Sequence, residues 1–228
     1  FRLWHASYMQ TYLERDVRSL RQIGDLTQFQ NFLRALAARN AQLLNLTDLS
    51  RELGIAVNTV KAWLSVLEAS YIAFRLLPYS GNLRKRLVKM PKLHFYDTGL
   101  VCWLLGIRSA DQLRTHPLRG AIFETWVVSE ILKHRTNRGE PGGMFFYRDQ
   151  RGVEADLIVE TAGGLTVVEA KAGQTAAADM FDSARQVTAA LGPRRRVNTL
   201  VVYGGQTAQT RSDVTLLSWN AIDEHRWG

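Results

Sequence analysis

Apolar residues recur at helical spacing through the first part of the chain. Between residues 7 and 40 this pattern predicts two helices, because it is interrupted near Ile23-Gly24-Asp25. The chain begins without a methionine inside the first predicted helix, so we expect further chain upstream. The apolar positions are Tyr8, Tyr12, Leu13, Leu20, Phe29, Phe32, Leu33, Leu36 and Ala37.

The next stretch has the pattern of a helix–turn–helix. Thr47 predicts the start of a helix over residues 48–53, which Gly54 ends. Asn58 predicts the start of a second helix, running to about residue 70. Trp63 lies near the apolar stripe of this helix, so we expect it in the core and not on a base-stacking surface. The shared core would comprise Leu49, Leu53, Ile55, Val60, Leu64 and Leu67.

A basic segment between two strand-like stretches follows. Tyr71–Leu77 and Lys92–Tyr96 flank SGNLRKRLVKM, and a hairpin with a basic tip after a helix–turn–helix predicts a wing. If the module reads DNA, the wing would contact phosphates and the second helix would enter the major groove. That helix is only modestly basic, and winged helices also serve as protein-docking modules or spacers, so both interpretations stay open. The residues predicted to contact nucleic acid are Asn58, Thr59, Lys61 and Ser65 in the helix, and Arg84, Lys85 and Arg86 in the wing.

The pattern changes near residue 110. Residues 98–110 predict a short apolar helix and residues 108–117 a polar connector, so we place a boundary between a helical and winged helix–turn–helix domain, 1–110, and a second domain, 111–228. The second domain alternates helices and strands, which predicts an α/β fold with a central mixed sheet. Its predicted elements are a helix over Leu118–Arg135, strands near Met144–Arg148, Val153–Glu160 and Leu165–Ala170, a helix over about Ala176–Leu191, and strands Asn198–Tyr203 and Val214–Trp219. Thr161-Ala162-Gly163-Gly164 predicts a hairpin turn.

Composition excludes several classes of protein. Hydrophobic residues make up 46% and charged residues 22%, which is typical of a globular chain, and no apolar run approaches the length of a membrane span. The N-terminus lacks the features of a signal peptide. The single cysteine, Cys102, cannot form an intramolecular disulfide, which favours a cytoplasmic location, and we expect a buried structural thiol. The five histidines show no zinc-ligand spacing.

The net charge of +8 is concentrated in clusters. Arg84–Arg86 with Lys89 and Lys92 form one cluster, and Arg194–Arg196 form another. Such clusters attract polyanions, although a solvated face would carry the same charges. The sequence contains no GxxxxGK[ST] loop, so we do not expect this chain to hydrolyse nucleotides.

The pattern that most favours chemistry is Gly152-Val-Glu-Ala-Asp156, a hairpin, and Val168-Glu-Ala-Lys171. Because alternate strand residues share a face, Glu154 would lie beside Asp156, and Glu169 beside Lys171. Buried carboxylates repel each other unless a cation or a shared proton lies between them. Their oxygens suit Mg²⁺ or Mn²⁺, and Lys171 could orient or deprotonate an attacking water. The other interpretation is a lysine–carboxylate pair that only fixes the strand register.

Glu124 in the preceding helix, with Asp156 and Glu169-x-Lys171 on successive strands, resembles the PD-(D/E)xK nuclease superfamily, which has the restriction-endonuclease-like fold. The whole chain resembles the C-terminal region of prokaryotic AAA-type ATP-binding proteins. The phrases that carry this resemblance are TYLERDV (11–17), LSRELGIAVNTVKAWLSVLE (49–68), PKLHFYDTGL (91–100), GAIFETWVVSEI (120–131), FYRDQRGVEADLI (146–158) and VVEAKAG (167–173).

The resemblance implies a role for each residue of the motif. Asp156 and Glu169 would hold Mg²⁺ or Mn²⁺ with the Ala170 carbonyl as a third ligand, and Glu124 would reach the metal through water or position a second ion. Lys171 would serve the nucleophile, and the motif does not require an acid at position 154. The implied activity is phosphodiester cleavage of nucleic acid, DNA foremost, by a chain attached to an N-terminal ATPase module. A non-catalytic DNA-binding module that regulates the ATPase and a protein-interaction scaffold are the alternatives. The oligomeric state is not predicted.

Overall fold

A computed structural model describes residues 2–12, 25–80, 88–175, 178–192, 196–210 and 213–227. The chain divides into two compact units, one of residues 1–75 with 93–122 and one of residues 76–92 with 123–228. Helices come first along the chain, and a mixed six-stranded sheet follows. The predicted α/β fold class is confirmed.

The first unit is helical and packs around aromatic rings. Trp63 makes edge-on contacts with Phe29 and Phe32, at centroid distances of 5.3 and 5.4 Å, so its predicted place in the core is confirmed. Part of the predicted N-terminal helical stretch, residues 13–24, lies outside the described residues. The helices are α1 (Arg2–Thr11), α2 (Leu26–Ala38), α3 (Leu46–Leu53), α4 (Val57–Ala69), α5 (Thr98–Leu104) and α6 (Ala110–Thr115).

The caps of α3 and α4 differ from the predicted ones. The side chain of Asn45, not that of Thr47, caps α3 by accepting hydrogen bonds from the backbone N–H groups of Thr47 and Asp48. Helix α4 begins without a side-chain cap, and Asn58 lies inside its first turn. Gly54 ends α3 as predicted, with a φ of +66°. Both helices still form close to their predicted positions, because the apolar stripe, and not the cap, determines which face is buried.

Two short strands follow the helix pair. β1 (Ala73–Leu76) and β2 (Lys92–Phe95) form a two-stranded sheet. The predicted basic tip between them, with Arg84, Lys85 and Arg86, lies outside the described residues. The predicted polar connector instead contains α6, because the Ser109 side chain accepts a hydrogen bond from the backbone N–H of Gln112 and so caps a helix there.

The second unit contains the large sheet. Its strand order is β3-β4-β5-β6-β8-β7. β4 pairs antiparallel with both β3 and β5, and β6 pairs parallel with both β5 and β8. β7 pairs antiparallel with β8. The predicted strands are confirmed within a residue or so at each end, whereas the two-residue β7 was not predicted. The strands are β3 (Met144–Arg148), β4 (Glu154–Thr161), β5 (Gly164–Lys171), β6 (Val197–Tyr203), β7 (Gln209–Thr210) and β8 (Thr215–Ser218).

Two helices accompany the sheet, α7 (Arg119–Asn137) and α8 (Asp182–Leu191). Ala184, Val187 and Leu191 of α8 share a buried core with sheet residues that include Leu165 and Val167. The single helix predicted from residue 176 is wrong in its first part, since Ala178–Phe181 forms a 3₁₀ turn before α8 begins.

The β4–β5 hairpin brings the candidate acids together. Thr161 pairs with Gly164 across a tight turn, as predicted, and Leu157 pairs with Val168 nearer the other end. The next positions along the two strands are Asp156 and Glu169, so the hairpin register places them opposite each other.

Candidate active site

A cluster of four carboxylates and three cationic groups lies within the second unit. It includes every residue predicted for catalysis, namely Glu124, Asp156, Glu169 and Lys171. Asp156 interacts electrostatically with each of the other three. The full set is Glu124 from α7, Glu154 and Asp156 from β4, Glu169 and Lys171 from β5, Arg148 from β3 and Lys92 from β2.

Lys92 lies at the centre of this cluster. Its Nζ donates to Glu124 Oε1 at 2.8 Å, contacts the Glu154 carboxylate and lies 3.9 Å from Asp156 Oδ1. The side chain is only 3% exposed, and Nζ lies 5.7 Å from the centroid of the Phe146 ring. Three carboxylates therefore share one buried ammonium group.

Lys92 carries its charge throughout the neutral range. Burial alone would lower its pKa, but the negative charges of Glu124, Asp156 and Glu154 outweigh burial and raise the pKa. The interpretation of Lys92 as part of a basic cluster that attracts polyanions is wrong, because the group is buried and neutralised within the protein. No local signal in the sequence marks this role, because a lysine that opens a four-residue strand has the same pattern whether it is buried or exposed.

Asp156 and the Ala170 carbonyl lie on the same side of strand β5. Asp156 Oδ2 accepts a hydrogen bond of 2.8 Å from the Ala170 backbone N–H. The Lys171 carbonyl points the other way, toward β6, where it accepts from the Gly204 N–H at 3.0 Å. Because successive carbonyls of a strand point to opposite sides, the Ala170 carbonyl points toward β4 and Asp156.

Glu169 has one oxygen paired and one unpaired. Its Oε1 accepts from Lys171 Nζ at 2.7 Å, whereas Oε2 is buried and none of the described residues donates a hydrogen bond to it. Burial, and then the charge of Asp156, raise the pKa of Glu169 to about 7. Leaving such a buried oxygen unsatisfied costs about 1–3 kcal/mol, so the position favours a proton or a cationic ligand.

Glu154 and Glu124 are held by other groups. Glu154 contacts Lys92 through Oε1 and Arg148 Nη1 through Oε2, the latter at 3.3 Å. Burial, and then the neighbouring Asp156, raise the pKa of Glu124, while Lys92 opposes this rise. These contacts direct both carboxylates toward Lys92.

The donor set determines what the cluster can bind. In the described ranges of the chain, no three or more histidine, cysteine, aspartate or glutamate side chains are grouped so as to hold a metal ion. Two carboxylates and a carbonyl nevertheless suit Mg²⁺, which keeps several waters and commonly takes only one or two carboxylates from the protein. Asp156, Glu169 and the Ala170 carbonyl therefore fit such an ion, and the buried, unpartnered Oε2 of Glu169 supports this assignment.

Asp149 positions the turn that leads into β4. Its buried carboxylate accepts hydrogen bonds from the backbone N–H groups of Arg151 and Val153, at 2.9 and 3.1 Å. Burial raises the pKa of Asp149, but these hydrogen bonds and the charge of Arg151 together outweigh burial and hold the pKa below its usual value. Gly152 takes a φ of +86° between the two N–H groups. Asp149 was not among the predicted residues, although an aspartate two residues before an Arg-Gly pair is typical of a turn.

The residues predicted to bind DNA in α4 lie partly at the surface of the first unit. Asn58, Lys61 and Ser65 are exposed and Thr59 is half-buried, while Ser65 Oγ donates to the Lys61 carbonyl at 3.0 Å. Cys102, expected to be buried, is half-buried. Burial, and then Asp97, raise its pKa, so the thiol stays protonated near neutral pH.

No helix in the part of the chain that the structure describes is both long and apolar enough to cross a membrane.

Two family models match the chain. "Domain of unknown function (DUF8612)" matches residues 1–111, and "Domain of unknown function (DUF4143)" matches residues 119–222. The second of these domains is commonly found with AAA ATPases.

Two curated relatives are similar over nearly the whole chain. "Uncharacterized protein Rv2008c" of Mycobacterium tuberculosis and "Uncharacterized protein Mb2031c" of Mycobacterium bovis are each 29% identical to it over 231 residues, which is 97% of this chain and 50% of the relative. The chain thus spans about half the length of the curated relatives it matches. No solved structure matches it.

Proposed function

We propose that the second unit is a Mg²⁺- or Mn²⁺-dependent phosphodiester hydrolase with the residue arrangement of a PD-(D/E)xK nuclease. The observation that carries this proposal is the buried, unpartnered Oε2 of Glu169 in the cluster that contains Asp156. Asp156, Glu169 and the Ala170 carbonyl would hold the ion. When bound, the ion supplies Lewis acidity toward a phosphoryl oxygen and lowers the pKa of a bound water.

Lys171 supplies a positive charge next to the reacting phosphate. Glu169 holds its Nζ at 2.7 Å, so the ammonium is fixed before substrate arrives. It stabilises the negative charge that develops on the phosphoryl oxygens and orients the attacking water. The water oxygen forms a new P–O bond as the ester P–O bond breaks. The proton of the water passes to solvent, and the leaving alkoxide takes a proton from solvent.

The first unit would deliver nucleic acid to this reaction. The proposed contacts with DNA are Asn58, Thr59, Lys61 and Ser65 of α4. Arg84, Lys85 and Arg86, which lie outside the described residues, are proposed from their charge to bind phosphates. The net charge of +8 supports a polyanionic partner. The match to a domain commonly found with AAA ATPases, and the greater length of the relatives, support attachment to an ATPase module. We place the protein in the cytoplasm because its one cysteine cannot form an intramolecular disulfide.

A cleavage screen tests the proposal. The chain is incubated with Mg²⁺ or Mn²⁺ and single-stranded, double-stranded and branched DNA, and with RNA. Asp156→Asn and Lys171→Met should lower the cleavage rate by about 100-fold or more while leaving DNA binding unchanged. Asp182→Asn, an exposed aspartate at the start of α8, is the matched control and should cleave at the parental rate. Equal cleavage by the parent and Asp156→Asn would point to a contaminating nuclease and refute the proposal.

A non-catalytic DNA-binding module is the second candidate, and the contacts of Lys92 favour it. A buried ammonium group already neutralises part of the acid cluster, so the cluster can be stable without a metal ion. Such a module would bind DNA at low salt equally well with and without a chelator and would cleave none of the substrates. The screen and a binding titration in a chelating buffer separate the two candidates.

A further inference from the structure

We infer that Lys92 takes the place of a second metal ion, so that the candidate site binds one divalent cation and not two. The inference rests on the proposed function, because it concerns the same site. It assigns a role to a residue that lies outside both the acidic motif and the family match over residues 119–222.

The position of Nζ is the first ground. A second ion would need the carboxylates that remain once Asp156 and Glu169 hold the first ion, namely Glu124 and Glu154. Lys92 Nζ lies between these two, donating to Glu124 at 2.8 Å and contacting Glu154. The ammonium therefore fills the volume that such an ion would occupy.

The balance of charge is the second ground. Glu124 and Glu154 face the two cations Lys92 and Arg148, which neutralise them. Asp156 and Glu169 carry the two negative charges that one divalent ion would neutralise. Lys171 adds one further positive charge beside the ion and is itself paired with Glu169 at 2.7 Å. Among the carboxylates that the structure describes in this cluster, none is left unbalanced to hold a second ion.

The burial of Lys92 is the third ground. Its side chain is 3% exposed and its ammonium lies against the Phe146 ring. Moving Nζ away to admit an ion would separate a buried ammonium group from the carboxylates of Glu124 and Glu154, at a large cost in free energy. Lys92 is thus a fixed part of the site and a positioning residue for Glu124, not a group that touches the substrate.

Titration calorimetry with Mn²⁺ on the full chain tests the inference without any substrate. We expect one Mn²⁺ per chain. Asp156→Asn and Glu169→Gln should weaken Mn²⁺ binding by about 10- to 100-fold or more, whereas Glu124→Gln should weaken it an order of magnitude less. Two ions per chain, or an equal loss in Glu124→Gln and Asp156→Asn, would overturn the inference.

Lys92→Met and Lys92→Arg complete the experiment. Lys92→Met leaves Glu124 without its cation and should bind two Mn²⁺, whereas Lys92→Arg keeps the charge and should bind one. A count of one ion for Lys92→Met would contradict the inference. If Lys92→Met does not fold, the comparison of Mn²⁺ binding by Glu124→Gln and Asp156→Asn still tests the inference.

The calorimetry and the cleavage screen can fail separately. One bound ion without cleavage of any substrate would sustain the single-ion site and refute the hydrolase. Two bound ions with cleavage would refute the single-ion site and support the hydrolase.

Discussion

Three carboxyl groups in the candidate site have pKa values above their ordinary ones. Burial is the largest cause of the raised pKa of Glu124, Asp156 and Glu169. The charge of Asp156 adds to it for Glu124 and Glu169, whereas the charge of Lys92 opposes it for Asp156. A raised pKa means that the folded chain binds a proton more tightly than the unfolded chain does. The free energy of unfolding therefore decreases as pH rises through the interval between the two pKa values.

The first prediction concerns Glu169, whose pKa rises from 4.5 to about 7 on folding. In a chelating buffer the melting temperature should fall as pH rises from about 5 to 8, because ionisation of Glu169 costs free energy only in the folded chain. Thermal unfolding followed by circular dichroism measures this. Glu169→Gln should show a smaller fall, and Mn²⁺ should offset the fall in the parent by favouring the ionised carboxylate. An identical pH dependence in parent and Glu169→Gln would contradict the assignment.

Asp149 gives a second prediction for a single residue. Asp149→Ala leaves the N–H groups of Arg151 and Val153 without their acceptor, so it should lower the free energy of unfolding by about 2 kcal/mol. Urea denaturation measures the loss, with the exposed Asp182→Ala as control. A loss no greater than that of the control would show that the turn does not depend on this carboxylate.

Single elements were predicted well where the apolar pattern and the turn residues agreed. The β4–β5 hairpin combines two largely apolar strands with a glycine-rich turn, and its register followed from the sequence. The caps of α3 and α4 were not predicted correctly, because several neighbouring residues can cap a helix and only the backbone path selects one. β7 has two residues, too few to show an alternation.

The hairpin turn supplies the prediction at this scale. Gly164 has a φ of +134°, and a Cβ there would lie 2.3 Å from the Arg196 carbonyl oxygen. Gly164→Ala should therefore lower the free energy of unfolding by more than about 1 kcal/mol. Gly163→Ala in the same turn meets only Thr161 Oγ1, at 3.7 Å, and should cost far less. Chemical denaturation of the two variants compares them directly, and equal losses would contradict the steric explanation.

Across the whole molecule, the candidate site draws on distant parts of the sequence. Glu154, Asp156, Glu169 and Lys171 were predictable because they lie in one hairpin, where strand alternation fixes their neighbours. Lys92 was not predictable, because a lysine at the start of a short strand has the same local pattern whether its side chain enters a buried cluster or solvent. Only the tertiary fold distinguishes a buried lysine from an exposed one here, because it includes residues 76–92 in the second unit.

The predicted boundary at residue 110 leads to a test of this arrangement. A fragment of residues 111–228 contains the four acids but lacks Lys92. We expect it to melt at a lower temperature than the full chain near pH 8 and to be stabilised more strongly by Mn²⁺, because the ion would replace the missing ammonium. Differential scanning calorimetry of both chains measures this. Equal melting temperatures, with no added response to Mn²⁺ in the fragment, would show that Lys92 does not compensate the acids.

The shared ammonium of Lys92 also constrains how related sequences can diverge. A chain that loses the cation at this position would take the Lys92 ion pair from Glu124 and leave Glu154 with Arg148 only. A chain that loses both carboxylates would leave the buried ammonium with the more distant Asp156. Positions 92, 124 and 154 should therefore covary among relatives, even though they fall in two separately matched domains. Recombination that joins a first domain from one lineage to a second domain from another should succeed only when the inherited charges are complementary.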